Sequence, residues 1–190
     1  MSHGFRVYAT LAAITLFPNM ARAEEPRYGL QLHVNLPGGD LKTSVDSQPG
    51  AGLGAHVTFD LGKGHVIRPR FDAVFFSGAF LPGFKTKATD LSLGADYLYF
   101  PGGTPQGFYL MGGLGLHRWT VDTTIPAIGS YPAFSGTKTS TRFGYSGGLG
   151  YNFNRSFGAE LRLVNTKYSS GIPAWDRTAN NGQASVMFRF

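Results

Sequence analysis

Period-two alternation of apolar and polar residues recurs in eight segments of this chain, and it constrains the fold more than any other feature. The last segment is the clearest, because between Gly182 and Phe190 one parity is apolar and the other is mostly polar. Such alternation is typical of a β-strand with one apolar and one wet face. In water the apolar face would be an aggregation hazard, whereas in a bilayer it would meet lipid.

The connections between these segments alternate in length. The predicted strands cover about 28–35, 51–61, 67–75, 90–99, 108–117, 143–153, 157–164 and 182–190. Short turns follow the second, fourth and sixth strands, and the longer, polar connections are about 37–49, 77–88, 122–138 and 169–179. This rhythm places the short turns and both termini at one end. The sequence therefore predicts an all-β fold, an eight-stranded antiparallel up-and-down transmembrane β-barrel.

Pairing through the short turn at Asn154 gives a test of the register. It sets Tyr151 beside Ala159 on the outer face and Gly148 opposite Arg162 on the inner face. Small residues facing large ones is what a narrow lumen requires. Pro69 fits a closed barrel poorly, because proline has no backbone N–H to donate. One hydrogen bond between neighbouring strands must be missing there, or the proline must lie at a β-bulge.

Aromatic residues concentrate near the short-turn end, with a sparser band near the loop end, as expected for girdles at two membrane interfaces. In architecture and in its terminal Met187-Phe188-Arg189-Phe190, the chain resembles the small outer-membrane barrels of the OmpA membrane domain, opacity and OmpX type. The resemblance covers nearly all of residues 27–190. It implies that Phe188 and Phe190 form the signal that the barrel-assembly machinery recognises during insertion.

The first 23 residues have the features of a cleaved secretory signal peptide. Arg6 precedes a short apolar run, and Ala21-Arg22-Ala23 is a small-x-small cleavage site. The domain prediction is therefore a leader over 1–23 and a barrel over 24–190, located in the cell outer membrane. A soluble lipocalin-type barrel is the alternative, but it would carry large apolar residues inside, whereas here one parity collects Arg, Asp and Gly.

The inward parity predicts a lumen filled by paired charges. An eight-stranded barrel has room for side chains but not for a wide channel. A narrow gated pore for small solutes, opened by rearranging such a pair, is the alternative. The residues of the predicted lumen charge network are Asp60, Arg68, Arg70, Asp72, Asp96, Glu160, Arg162 and Arg189.

No catalytic, cofactor or metal site is predicted. Of the inward histidines, His33 and His56 lie on neighbouring strands, but His117 lies across the barrel, so the three do not provide the convergent geometry of a metal site; there are also no cysteines. Ser146 matches a nucleophile-elbow pattern, but the alternation continues through it without the required turn and helix. A lipid A-modifying enzyme is the alternative; compared with the His-x-Ser pattern of lipid A deacylases, Lys167-Tyr168-Ser169 has lysine where the histidine base should be.

The long connections are the predicted working surface, because a rigid scaffold with variable loops commonly carries binding. Lys85 and Lys87 are predicted to contact the phosphates of lipopolysaccharide. Outer-membrane lipids and the barrel-assembly machinery are the expected partners, nucleic acid is not one, and any loop ligand is unidentified. The predicted function is a structural or surface-interaction role, in adhesion or envelope integrity, without catalysis.

Overall fold

Eight antiparallel strands close into a single barrel in which each strand pairs with its neighbours in sequence and the last pairs with the first. The computed structural model describes residues 25–81, 84–127, 132–169 and 176–190, without the side chains of 79–84 and 176. The predicted leader, residues 1–23, lies outside these ranges. The elements are β1 (Arg27–Gly38), α1 (Gly39–Ser44), β2 (Gly50–Gly62), β3 (His65–Leu81), β4 (Phe84–Tyr99), β5 (Gly107–Ile125), β6 (Phe134–Asn152), β7 (Phe157–Ser169) and β8 (Asp176–Arg189).

The two faces of the wall are inverted relative to a water-soluble protein. Leu32, Leu93 and Leu163 point outward and are 64%, 65% and 73% exposed, whereas the inward Arg68 and Arg162 are each 2% exposed. An apolar exterior around a polar interior is the arrangement of a transmembrane barrel. No helix in the described ranges is both long and apolar enough to cross a bilayer.

The predicted register between β6 and β7 is confirmed. Tyr151 pairs with Ala159, and Gly148 pairs with Arg162. The expectation for Pro69 is also met: it pairs with Ala95 of β4, but the β2–β3 pairs stop at His56–Arg70 and resume at Phe59–Ile67. The proline therefore interrupts one ladder without preventing closure of the barrel.

The predicted long loops are wrong in three places, because the strands continue beyond the membrane-facing belt; one of them is 169–179, where β8 already begins at Asp176. β3 and β4 extend through most of the predicted loop 77–88, and β5 and β6 extend into 122–138. Alternation was the criterion for a strand, and it disappears where both faces meet water. The predicted loop 37–49 is likewise wrong in part, since it contains α1.

Two apolar clusters lie inside the barrel, one towards each end. The turn-end cluster consists of Val66, Leu98, Phe100, Tyr109, Met111 and Met187. The loop-end cluster consists of Leu41, Val45, Val74, Phe76, Ala88, Trp119, Val121, Tyr168 and Ala179. Between them the lumen is lined mainly by buried polar and charged side chains. The sequence did not predict these apolar layers.

Candidate functional site

Four charged side chains form the centre of the lumen, and we call them the central quartet: Arg68, Asp96, Glu160 and Arg162. Arg68 Nη2 lies 2.9 Å from Asp96 Oδ2 and 2.6 Å from Glu160 Oε2. Arg162 Nη2 lies 2.7 Å from Asp96 Oδ2 and 2.7 Å from Glu160 Oε1. Each arginine thus bridges both carboxylates, and all four side chains are at most 2% exposed. Breaking such a buried arrangement costs much more than its net contribution to stability, because the remaining charges lose their partners.

Arg70 and Asp72 extend the quartet along β3. Arg70 Nη1 lies 2.8 Å from Asp72 Oδ2, and Arg70 Nε lies 3.5 Å from Asp96 Oδ1. The amide nitrogen of Gln31 donates to Asp72, and His33 Nε2 lies 3.7 Å from the same carboxylate. Six of the eight residues in the predicted network therefore lie in one connected cluster.

Asp60 and Arg189, which the sequence grouped with this network, lie apart from it. Asp60 Oδ1 accepts a hydrogen bond of 2.8 Å from the backbone nitrogen of Gly62 in the β2–β3 turn. Arg189 Nη2 donates to the carbonyl of Asn154 at 3.3 Å. Parity shows which face a residue occupies but not its height along the barrel axis, and both residues lie at the turn end.

Glycine makes room for the quartet at two positions where the wall approaches charged or bulky groups. A Cβ on Gly113 would overlap Asp96 Oδ1, and a Cβ on Gly150 would overlap the ring of Tyr109. Tyr109 in turn donates from its hydroxyl to Glu160 Oε2 at 2.9 Å. The small inward residues therefore provide the volume that the large ones occupy.

Two of the three inward histidines have side-chain contacts through Nδ1, whereas both ring nitrogens of the buried His56 lack a hydrogen-bond partner in the described part of the chain. His117 Nδ1 lies 2.7 Å from Asp90 Oδ2, and the Asn35 amide nitrogen lies 2.8 Å from His33 Nδ1. The described residues hold no group of three or more His, Cys, Asp or Glu side chains arranged for a metal ion. What the lumen presents chemically is a set of paired charges.

Helix α1 closes the loop end of the lumen. Its Leu41 and the following Val45 are fully buried in the loop-end cluster. Polar contacts hold it to the wall: Asp40 Oδ2 accepts from the Thr178 backbone nitrogen at 2.8 Å, and Ser44 Oγ lies 2.8 Å from the Tyr168 hydroxyl. Sequence reasoning missed this helix, although two apolar residues four apart within a polar stretch are a helical pattern.

The wall is not paired uniformly at the loop end. The β5–β6 ladder continues up to Ile125–Phe134, but in the described part of the chain the β6–β7 ladder stops at Tyr145–Asn165. Above this point Ser169 donates its backbone nitrogen to Ser140 Oγ at 3.1 Å. The upper β5–β6 hairpin, which we call the β5–β6 ribbon, therefore has a looser seam on its β7 side, while on its other side β5 stays paired with β4 as far as Lys85–Thr124.

Basic side chains lie on the outer surface just beyond the apolar belt. Lys85 and Lys87 of β4 are exposed, and they share the outward parity of Leu91. Arg118 of β5 pairs with Leu91 and is also exposed. Sequence reasoning missed Arg118, which its parity, two residues beyond Leu116, could have identified.

The two terminal aromatic residues lie on the outer surface at the turn end. Phe188 is exposed, and its ring packs edge-on against Phe157 with centroids 5.3 Å apart. Phe190 donates its backbone nitrogen to the Tyr28 carbonyl at 2.9 Å, so the end of the chain is tied to β1.

Solved structures with a similar fold come from several bacteria. Neisserial surface protein A matches with a TM-score of 0.61 and 12% identity, over 88% of this chain and 99% of that one. Ail, the attachment invasion locus protein of Yersinia pestis, matches with a TM-score of 0.59 and 12% identity, over 87% and 97%. The N-terminal β-barrel domain of Pseudomonas aeruginosa OprF matches with a TM-score of 0.55 and 15% identity, over 89% and 100%. At these identities the likeness concerns the fold alone.

The family assignment comes from sequence. No curated protein matches the chain at a significant level. The family model described as outer membrane protein beta-barrel domain matches residues 9–190, which is nearly the whole chain. Together with the closed eight-stranded barrel and its apolar exterior, this match shows that the chain belongs to the outer membrane protein β-barrel domain family and is a protein of the outer membrane.

Proposed function

We propose that this protein is a sealed, non-catalytic barrel that has a structural and surface-interaction role in the outer membrane, to which a leader over residues 1–23 directs it. The observation that carries the proposal is that the lumen is occupied from end to end. The turn-end cluster, the central quartet and the loop-end cluster follow one another along the axis. What remains for function is the part of the molecule beyond the membrane.

The β5–β6 ribbon supports the surface role. Its outward face is rich in hydroxyl groups, and its members are held by cross-strand contacts such as Thr137 Oγ1 to Asp122 Oδ1 at 2.5 Å. A paired ribbon loses less conformational entropy on binding than a flexible loop does. Ail has been solved in complex with the heparin analogue sucrose octasulfate, so a barrel of this fold can bind a polyanion.

Lipopolysaccharide is the polyanion nearest to the outer basic residues. Lys87 and Arg118, with Lys85 farther out, lie immediately beyond the apolar belt, at the level where phosphates follow acyl chains. Asp122 lies directly opposite Lys87 and offsets part of the charge, whereas Arg118 faces Leu91 and Thr141. A guanidinium in that position can bind a phosphate through two parallel hydrogen bonds.

The terminal strand supplies the proposed assembly signal. Phe188 and Phe190 are exposed on the outer surface, where the barrel-assembly machinery could contact them before β8 closes against β1. The closing pairs, from Gly29–Arg189 to Gly38–Asn180, would then form last.

Planar bilayer recordings test the sealed lumen. The refolded chain should give no steady conductance, because the layered lumen leaves no continuous path. Stable conductance steps would contradict the proposal and favour the gated pore. In parallel, lipopolysaccharide incubated with the protein should keep its mass, and release of a fatty acid would instead favour the lipid A-modifying enzyme.

Lipopolysaccharide binding is tested in nanodiscs with a pair of matched double variants. Lys87→Gln with Arg118→Gln should weaken binding of phosphorylated lipid A about tenfold, since each exposed charge contributes up to ~1 kcal/mol. Lys42→Gln with Lys138→Gln removes the same charge elsewhere at the loop end, from α1 and from the inward parity of β6, and should have little effect. Equal losses in both variants, or equal binding of dephosphorylated lipid A, would contradict the assigned contacts.

A further inference from the structure

Three arginines line one pocket at the turn end of the barrel, and we call them the arginine rim: Arg27, Arg155 and Arg189. The cavity has a volume of about 430 Å³, and Glu25 and Phe190 also contribute to its lining. The arginines come from the start of β1, the β6–β7 turn and the end of β8. No part of the proposed loop-end function uses this pocket.

Backbone hydrogen bonds hold the three segments of the rim together. The backbone nitrogen of Arg189 donates to the Ser156 carbonyl at 2.8 Å, which ties β8 to the β6–β7 turn. Arg189 also pairs with Gly29, and Phe190 is bonded to Tyr28, which tie β8 to β1. The backbone that carries the rim is therefore pre-organised, so binding of a ligand would have to order only the arginine side chains.

The guanidinium of Arg189 has a buried donor without a partner in the described part of the chain. Its Nη2 donates to the Asn154 carbonyl at 3.3 Å, and its Nε is buried without a hydrogen-bond acceptor in the described part of the chain. A carbonyl dipole does not neutralise a guanidinium. With two further arginines on the same cavity against Glu25 and the Phe190 carboxylate, an anion is the complementary ligand.

An aromatic surface continues from the rim onto the membrane-facing side. The rings of Phe153 and Phe157, which flank Arg155 in sequence, stack with centroids 5.4 Å apart, and Phe157 contacts Phe188 at 5.3 Å. Phe190, 78% exposed, belongs both to the pocket and to this surface. A ligand that carries an anionic group next to hydrocarbon would satisfy both parts.

We propose that the arginine rim binds the phosphodiester head group of an anionic phospholipid in the periplasmic leaflet, with the acyl chains against the aromatic surface of Phe153, Phe157 and Phe188. Guanidinium groups match phosphate oxygens in pairs, and aromatic rings are favoured at the membrane interface. The site is separate from the proposed lipopolysaccharide contacts, which lie at the opposite end of the barrel.

Native mass spectrometry of the refolded chain, released from nanodiscs of phosphatidylcholine with increasing phosphatidylglycerol, tests the site. The wild-type barrel should retain one phosphatidylglycerol in preference to phosphatidylcholine. Arg155→Gln with Arg189→Gln should reduce this retention about tenfold, because two charge-assisted contacts are lost. Equal retention in both proteins would overturn the proposal.

Lys63→Gln combined with Lys138→Gln is the matched control, since it removes two exposed charges outside the rim and should leave retention unchanged. Changing Arg189 could impair folding, so Arg155→Gln is also tested alone, because Arg155 lies in an exposed turn. Heat-dependent gel mobility verifies that each variant is folded. Inorganic phosphate or glycerol phosphate is added as a soluble competitor. If either displaces the lipid at concentrations comparable to the lipid itself, the rim is a free-phosphate site and the lipid assignment is wrong.

Discussion

The two apolar clusters inside the barrel differ in how they are attached. The turn-end cluster is built from side chains of the wall and of Phe100, which directly follows β4, and it is bonded to the central quartet. Tyr109 donates to Glu160, and Arg68 Nη1 lies 3.2 Å from Met187 Sδ. The loop-end cluster instead depends on Leu41 and Val45, which α1 and the residue after it supply.

Because of this difference, the turn end of the lumen is closed by the wall itself, whereas part of the closure at the loop end can be removed. Opening the turn-end cluster would require the strands themselves to move, because every contributing side chain but Phe100 sits in a ladder. At the loop end, lifting α1 from the mouth would withdraw Leu41 and Val45 without moving a strand, although Phe76, Trp119 and Tyr168 would remain packed together below. Local unfolding of such a segment costs less than global unfolding. If the barrel has a gate, it is at the loop end.

Removing Glu160, one of the two carboxylates that bridge Arg68 and Arg162, should lower the free energy of unfolding more than any other proposed substitution. Glu160→Ala leaves Arg68 and Arg162 with Asp96 as their shared carboxylate and removes the acceptor of Tyr109, so we expect a loss of ~3–5 kcal/mol in the free energy of unfolding. Urea titration in detergent micelles, followed by gel mobility, measures it. Because the turn-end cluster is bonded to the quartet, the amides around Tyr109 should also exchange faster.

A companion variant separates charge from packing. Arg68→Met with Glu160→Met removes one cation and one anion together, and it should be less destabilising than Glu160→Ala because no uncompensated charge remains. If the double variant is the more unstable of the two, the quartet stabilises the barrel through its ion pairs, and our account of the layer is wrong.

Shortening Leu41, the side chain that α1 buries, should cause the next largest loss of stability. Leu41→Ala removes a fully buried side chain and should cost ~2–3 kcal/mol locally. Hydrogen exchange is the measurement, with faster exchange expected over residues 39–47 and unchanged exchange at the turn end. Faster exchange at both ends would show that the two clusters are coupled rather than independent.

The hydroxyl that bonds the turn-end cluster to the quartet can be removed alone. Tyr109→Phe keeps the ring packing against Phe100, with centroids 4.8 Å apart, but deletes the donor to Glu160. A hydrogen bond to a charged group contributes ~1.5–3 kcal/mol, and the lower value is expected because Arg68 and Arg162 still pair with Glu160. Urea unfolding measures the loss, and a value below ~0.5 kcal/mol would show that the attachment is only steric.

Sequence alone could predict the wall but not the layers within it. Period two identifies the outward face because lipid demands apolar side chains along the belt, and the β6–β7 register follows from the short turn at Asn154. The period-two pattern does not show where along the barrel axis an inward residue lies. It therefore groups Asp60 and Arg189 with the central quartet, although both lie at the turn end. Beyond the belt the outer face meets water instead of lipid, so outward positions such as Lys85 and Lys87 are no longer apolar, and the sequence of a strand resembles that of a loop. The spacing of Leu41 and Val45 could indicate a helix, but the position of that helix over the lumen depends on tertiary packing that no local pattern encodes.

The smallest expected effect tests the attachment of α1 directly. Asp40→Ala removes the acceptor for the Thr178 backbone nitrogen, while the burial of Leu41 and the contact between Ser44 and Tyr168 remain. The loss should be ~1 kcal/mol, the usual contribution of such a hydrogen bond, and global unfolding should barely change. Residues 39–47 should nevertheless exchange about fivefold faster, because that free energy acts on the local opening alone. Lys42→Ala, on the same helix but without a contact to the wall in the described structure, is the matched control. If both variants exchange alike, Asp40 does not hold the helix, and the loop-end closure rests on the apolar packing of Leu41 and Val45.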